Sequence, residues 1–142
     1  MRPARRDTGS ATLELVVLAP GLLLFLALVI FAGRFALARQ AVQAAATEAA
    51  RSASIARIES TARSEATAAA RGSLERQQLS CVSTSVALDT SGFGTPVGSY
   101  ATVEATVTCV VRFADLALPG TPGTTRVTAR MTSALDTYRA RS

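Results

Sequence analysis

The chain has 142 residues, a net charge of +5 and a mean hydropathy of +0.29, and it contains neither lysine nor histidine. Without these residues a histidine general base, a Ser-His pair and Schiff-base chemistry are excluded. Two cysteines cannot alone complete a four-ligand zinc site. We therefore predict a protein that is not an enzyme and that needs no metal or cofactor.

The N-terminal part combines a short basic leader, residues 1–9, with an apolar segment, residues 10–33. The leader holds three arginines and one acid, and residues 15–33 carry no charge. This run is close to the ~20 residues that a helix needs to cross a bilayer core. The basic flank favours a cytoplasmic N-terminus and an extracytoplasmic C-terminal part in a single-pass protein of the cell membrane.

Three interpretations of this segment compete. It can be a plain signal anchor, with Glu14 reaching the membrane interface. It can be a secretory signal peptide cut at Ala36-Leu37-Ala38, although its apolar region exceeds the ~7–15 residues of that class. The third interpretation also explains why a glycine, a small polar residue and an acid five positions after the glycine directly precede the apolar run.

The stretch G-SATLE-LVVLAPGLLLFL resembles the class III leader of type IV pilins and pseudopilins. More narrowly, residues 5–57 are similar to the TadE/TadG group of Tad (Flp) pilus assembly proteins. The resemblance implies that a prepilin peptidase cuts after Gly9, that Ser10 becomes the new N-terminus, and that Glu14 becomes the recognition and register residue. It implies a minor pseudopilin or assembly protein, whose partners are other pilin or pseudopilin subunits, the Tad assembly machinery and membrane lipid.

Residues 34–79 predict an alanine- and arginine-rich amphipathic helix. Alanine favours helix strongly, so we expect one continuous helix from Ser10 to Arg71, kinked at Pro20 and stopped at Gly72-Ser73. Its narrow face of small residues either packs against other helices of a filament or lies on the chain's own C-terminal domain. That face comprises Val42, Ala45, Ala46, Ala49, Ala53, Ala56 and Ile58. Two arginines near the membrane boundary, Arg34 and Arg39, are candidates to meet anionic lipid.

Residues 80–142 predict an extracytoplasmic β domain. Segments 81–90, 100–113 and 125–138 alternate with a period of two and are rich in Val and Thr, with Gly- and Pro-containing breakers between them. Such strands need cover to be stable. We predict an α+β, pilin-like fold, in which a long N-terminal helix packs on a small three-stranded antiparallel sheet.

Cys81 and Cys109 form the only possible cysteine pair. An extracytoplasmic location favours a disulfide between them, and such a loop would contribute ~3–4 kcal/mol in the chain-entropy model. The alternative is two buried free thiols.

The C-terminal part is also basic, which raises a second class of function. A membrane-anchored binding domain without a filament role, for example one that binds DNA during uptake, would use clustered arginines for phosphate. The candidates are Arg112, Arg126, Arg130, Arg139 and Arg141. Because the carboxylates of Glu104 and Asp136 partly offset this positive charge and few aromatic residues accompany the arginines, nucleic acid is not the expected partner.

Overall fold

The computed structural model describes residues 8–116, 120 and 122–138, with side chains from Glu14 onward. The leader residues 1–7 and the arginines at 139 and 141 lie outside these ranges. Two helices precede three strands, and short 3₁₀ turns follow the first two strands. The elements are α1 (Thr8–Ile55), α2 (Glu59–Arg76), β1 (Ser83–Asp89), β2 (Thr102–Arg112) and β3 (Thr124–Ala134), with the 3₁₀ turns at Ser91–Gly94 and Phe113–Leu116.

Helix α1 changes its environment along its length. Its first half carries exposed apolar side chains, and Pro20 lies inside the helix without ending it. From Ala38 to Ala53 one face is buried, with residues recurring at the three- and four-residue spacing of a helix face. This second half packs on α2 and on the sheet.

The helix that we predicted from Ser10 to Arg71 is instead two helices that form a hairpin. Helix α2 returns along α1, as the contact from Gln77 Nε2 to the Ala41 carbonyl at 3.5 Å indicates. The buried face of α2 is almost entirely alanine, comprising Ala62, Ala66, Ala70, Ser73 and Leu74. The small residues thus let the chain's own two helices approach closely, and Gly72-Ser73 lies within α2 rather than stopping the helix.

The break between the helices falls at residues 56–58, which contain neither glycine nor proline. Ile58 adopts an extended conformation with φ −122° and ψ 139°. The turn follows a serine- and isoleucine-containing stretch in which the Ser54 hydroxyl bonds to the Arg51 carbonyl at 2.8 Å. Such local bonds compete with helical ones, and burial of both alanine faces then favours the hairpin, since tertiary packing supplies most helix stability.

Helix α2 ends in a Schellman motif. Leu79 N donates to the Leu74 carbonyl at 3.1 Å, and Gln78 N donates to the Glu75 carbonyl at 2.9 Å. Gln78 occupies the left-handed position, with φ 55°, where glycine is usual. A glutamine at this position carries no helix-stop signal, so the true end of α2 could not be read from the position of a glycine.

The sheet is antiparallel in the order β1-β2-β3, which confirms the predicted fold class. Along β2 the burial alternates strictly, and the predicted inner face is confirmed from Ala101 to Val111. Phe113 instead belongs to the following 3₁₀ turn. The inner face of β2 and β3 packs against α1. The third strand ends at Ala134, earlier than the predicted residue 138.

The predicted disulfide between Cys81 and Cys109 is confirmed. Their Cα atoms are 5.4 Å apart and their sequence separation is 28. Cys109 is fully buried on the inner face of β2, and Cys81 lies in the segment between α2 and β1. The bond therefore fixes the end of the helical hairpin to the central strand.

The domain has two ends, which we name by their distance from the apolar first half of α1. The near end lies beside Arg34, whose Nη1 donates to the Asp115 carbonyl at 3.3 Å. The far end lies beside Ile55, where the Ser133 hydroxyl bonds to the Ser54 hydroxyl at 3.0 Å. Because the sheet is an antiparallel meander, β2 ends and β3 begins at the near end.

Candidate functional site

The leader junction lies at the start of α1. The backbone of Gly9 and Ser10 is helical, and Glu14 is exposed one turn further along. Residues four apart share a helix face, and their rise is ~6 Å. The fold therefore places the backbone of Ser10 and the Glu14 side chain on neighbouring turns of one exposed helix.

The anchor segment, residues 15–33, is the most apolar part of the chain. Its large side chains from Leu15 to Ile30 are between 46% and 73% exposed. In the described part of the chain, α1 is the one helix long and apolar enough to cross a membrane. An apolar surface that extends around a helix over this length is typical of a membrane anchor rather than of a core helix.

Aromatic and basic side chains mark the boundary between the anchor segment and the domain. The rings of Phe31 and Phe35 stack with centroids 6.2 Å apart. The Arg39 guanidinium lies 4.8 Å from the centroid of the Phe35 ring. Arg34 and Arg39 were predicted from the sequence to lie at this boundary, but the two rings were not, although their spacing of four residues along one helix was a signal for the cluster.

At the far end, a small polar network ties α2 to the loop after β1. Arg63 Nη2 lies 2.7 Å from Glu59 Oε1 and donates to the Thr90 hydroxyl at 2.9 Å. The hydrogen bonds from Arg63 and Thr90 lower the pKa of Glu59 below its ordinary value. In the loop itself, the Ser91 backbone N–H donates to Asp89 Oδ1 at 2.9 Å and lowers the pKa of that carboxyl. These contacts hold the start of α2 and need no ligand.

The arginines of the sheet do not form one continuous basic surface. Arg126 and Arg130 are both exposed on β3, as their alternation predicted, but Arg130 Nε lies 3.3 Å from Glu104 Oε1. Arg112, at the end of β2, is also exposed. In the residues that the structure describes, no group of three or more His, Cys, Asp or Glu side chains could hold a metal ion.

Comparison with known proteins identifies the N-terminal part of the chain. Residues 9–51 match the family model of TadE-like proteins. The search of the curated proteins and the search of the solved structures found no match. The match begins at Gly9, includes Glu14 and the anchor segment, and ends inside the buried half of α1, so that α2 and the sheet lie beyond it. Residues 9–51 are thus a TadE-like segment, which confirms the resemblance found in the sequence.

Proposed function

We propose that the protein is a minor pseudopilin or assembly subunit of a Tad (Flp) type IV pilus. The observation that carries this proposal is the TadE-like match over residues 9–51. Helix α1 anchors the chain in the cell membrane, with the N-terminus in the cytoplasm and the domain outside. The disulfide supports this orientation, because such bonds persist in oxidising compartments. The role is structural, and the protein is a substrate of the prepilin peptidase rather than a catalyst.

Processing after Gly9 would give the Glu14 carboxylate a function. An ionised carboxylate costs ~2.5–3.5 kcal/mol at the centre of a membrane and less near the interface. Cleavage creates an α-amino group at Ser10, which can neutralise the carboxylate of a neighbouring subunit and so set the axial register. The exposure of Glu14 supports this proposal, since its side chain has not been taken up by the chain's own domain.

The packing of α1 also bears on the competing signal-peptide interpretation. Ala36, Leu37 and Ala38 lie within the continuous helix, and Ala38 is buried in the core. Cleavage after Ala38 would remove one core residue and all the helix that precedes it. A cut after Gly9 would leave the described domain intact, which favours the pilin-type leader.

The same packing restricts where other subunits bind. The alanine face of α1 is covered by α2 and the sheet. The anchor segment is exposed, and it would therefore make the helix–helix contacts with other pilins. In a membrane such contacts depend on close packing and on small residues; Gly21 and Gly33 have open space around their Cα atoms and suit this role.

A membrane-anchored binding domain remains the second candidate, and one observation favours it. Tyr100 and Tyr138, the only two tyrosines of the chain, are 77% and 88% exposed. Gly98 N donates to the Thr137 carbonyl at 2.8 Å, which brings their two segments together. Exposed tyrosines are enriched in protein–protein interfaces. This surface at the far end is suited to a protein partner rather than to DNA.

The proposal is tested by expressing the full chain with and without a Tad-system prepilin peptidase. The wild type should lose residues 1–9 only when the peptidase is present. Gly9→Val should block the cut, since a branched side chain replaces the glycine at the junction. Gly21→Val is the matched control, because a side chain at Gly21 meets nothing within 4 Å, and this variant should be processed normally. A Gly9→Val chain of mature size would refute the leader.

Assembly is tested separately with Glu14→Ala. This variant should still be cleaved to some extent, but it should co-purify less with the pilin subunits than the wild type does. Equal co-purification would contradict the proposed role of Glu14 in register. If the peptidase cuts no form of the chain, the anchored binding domain becomes the better account.

A further inference from the structure

The near end of the domain carries arginines without acidic partners. Arg39, Arg112 and Arg126 are exposed, and none of them forms an ion pair with a described residue. By contrast, Arg63 and Arg130, which lie further along the domain, each have a carboxylate partner. Arg51 and Arg57, toward the far end, also have no ion pair with a described residue, so the near end differs by the pocket that two of its arginines share rather than by unpaired charge alone.

Two of these arginines line one shallow pocket. Arg39 from α1 and Arg126 from β3 border a cavity of about 270 Å³, together with Gln43, Val127 and Thr128. None of these five described residues carries a carboxylate. The residues that border the pocket include two arginines, a glutamine and a threonine, whose side chains are all of types that donate hydrogen bonds to phosphate. The sequence suggested Arg39 for anionic lipid and Arg126 for phosphate separately, but it could not bring them together, because Arg126 lies in a strand 87 positions later in the chain.

The pocket is partly organised in advance. The contact of the Arg39 guanidinium with the Phe35 ring limits the freedom of a long side chain. Such a side chain otherwise loses up to ~2 kcal/mol of conformational entropy when it is fixed. Arg126 projects from the backbone of a paired strand, where it lies opposite Val110.

The height of the pocket follows from the continuity of α1. Arg39 is six residues beyond Gly33, the end of the uncharged run, which corresponds to ~9 Å along the helix. Helical side chains point back toward the N-terminus, so the guanidinium lies closer to the membrane than its Cα atom. The polar headgroup layer extends ~5–8 Å beyond the hydrocarbon on each side. The pocket is thus at the level of the lipid phosphates.

We propose that the pocket lined by Arg39 and Arg126 binds the phosphate of an anionic phospholipid in the leaflet that the domain faces. The absence of a carboxylate from the five described residues of its lining favours an anionic headgroup, since a zwitterionic lipid would bring an ammonium group with no partner among them. This inference rests on the membrane anchoring of α1 in the proposed function, and it does not depend on cleavage after Gly9. Its consequence is a defined tilt and rotation of the domain on the membrane.

The test uses the full chain in nanodiscs. The nanodiscs are made of phosphatidylcholine with a trace of spin-labelled lipid. In one sample the labelled lipid is phosphatidylglycerol, and in the other it is phosphatidylcholine. The fraction of motionally restricted label reports the lipid held by the protein. Each basic residue near an anionic surface favours binding by about fivefold. The wild type should therefore prefer phosphatidylglycerol by roughly 25-fold, and Arg39→Gln with Arg126→Gln should remove most of that preference.

The matched control is Arg51→Gln with Arg57→Gln, which removes the same charge from exposed positions at the far half of α1 and in the following turn. It should retain the preference. An equal loss in both double variants would mean that net charge alone acts, and an equal affinity for the two lipids would also overturn the proposal. Inorganic phosphate at millimolar concentration should not displace the lipid; if it does so, the site binds free phosphate instead. Failure to enter the nanodisc would refute the anchor itself, which separates that failure from a missing lipid preference.

Discussion

The helical hairpin makes a direct prediction at Ala66. This residue is fully buried on α2, and the alanines Ala62 and Ala70 one turn away on either side are also fully buried. Leucine at Ala66 adds three carbon atoms where no space is open. Overpacking of this kind costs about 1–3 kcal/mol. For a domain of this size that corresponds to a fall in melting temperature of roughly 4–12 °C.

The matched control is Ala68→Leu on the exposed face of the same helix. Substitutions at the surface usually change the free energy of unfolding by no more than about 0.5 kcal/mol, and leucine is nearly as good a helix former as alanine. Thermal unfolding of both variants in detergent, with the disulfide intact, compares the two positions. Equal melting temperatures would mean that α2 does not pack on α1, and they would restore the continuous helix that the sequence alone predicted.

Three further predictions concern the domain. Reduction of Cys81 and Cys109 should lower the free energy of unfolding by about 3–4 kcal/mol in denaturant titration, because their loop is long; an unchanged midpoint would contradict this. Since the folded pKa of Glu59 is lowered, its contribution to the free energy of unfolding is present above the ordinary pKa of 4.5 and is lost as pH falls through the folded pKa. Glu59→Gln should therefore lose less stability in acid than the wild type does, and an equal loss of stability would exclude the contact with Arg63. Gln78→Gly should raise the free energy of unfolding by about 0.5–1 kcal/mol, since it relieves a left-handed backbone; destabilisation would argue against this geometry.

The sheet could be predicted from the sequence because its signal is local. Strict alternation along β2 fixes which side chains face the core, and the two breaker segments fix the order of a simple meander. The cysteine pair followed from elimination. The long apolar helix was predictable for the same reason, since an uncharged run of this length is a local signal, but three interpretations of its role stayed open.

The hairpin could not be predicted because alanine-rich sequence favours a helix without saying where it turns. The alanine face of α1 suits a neighbouring subunit and the chain's own α2 equally well. Only the tertiary fold decides between them, and it places the break after Ile55, where no glycine or proline occurs. The pocket shared by Arg39 and Arg126 was hidden in the same way, since residues from α1 and β3 meet only in the folded domain.

Whether the chain is a pilin-type precursor is best measured by the intact mass and N-terminal sequence of the protein isolated from its native membrane. We expect a chain that begins at Ser10, with Glu14 as its fifth residue and with Cys81 and Cys109 oxidised. A chain that retains residues 1–9 would contradict the processing and leave a membrane-anchored domain. A chain that begins at Arg39 would show a secretory signal peptide and overturn the anchor as well.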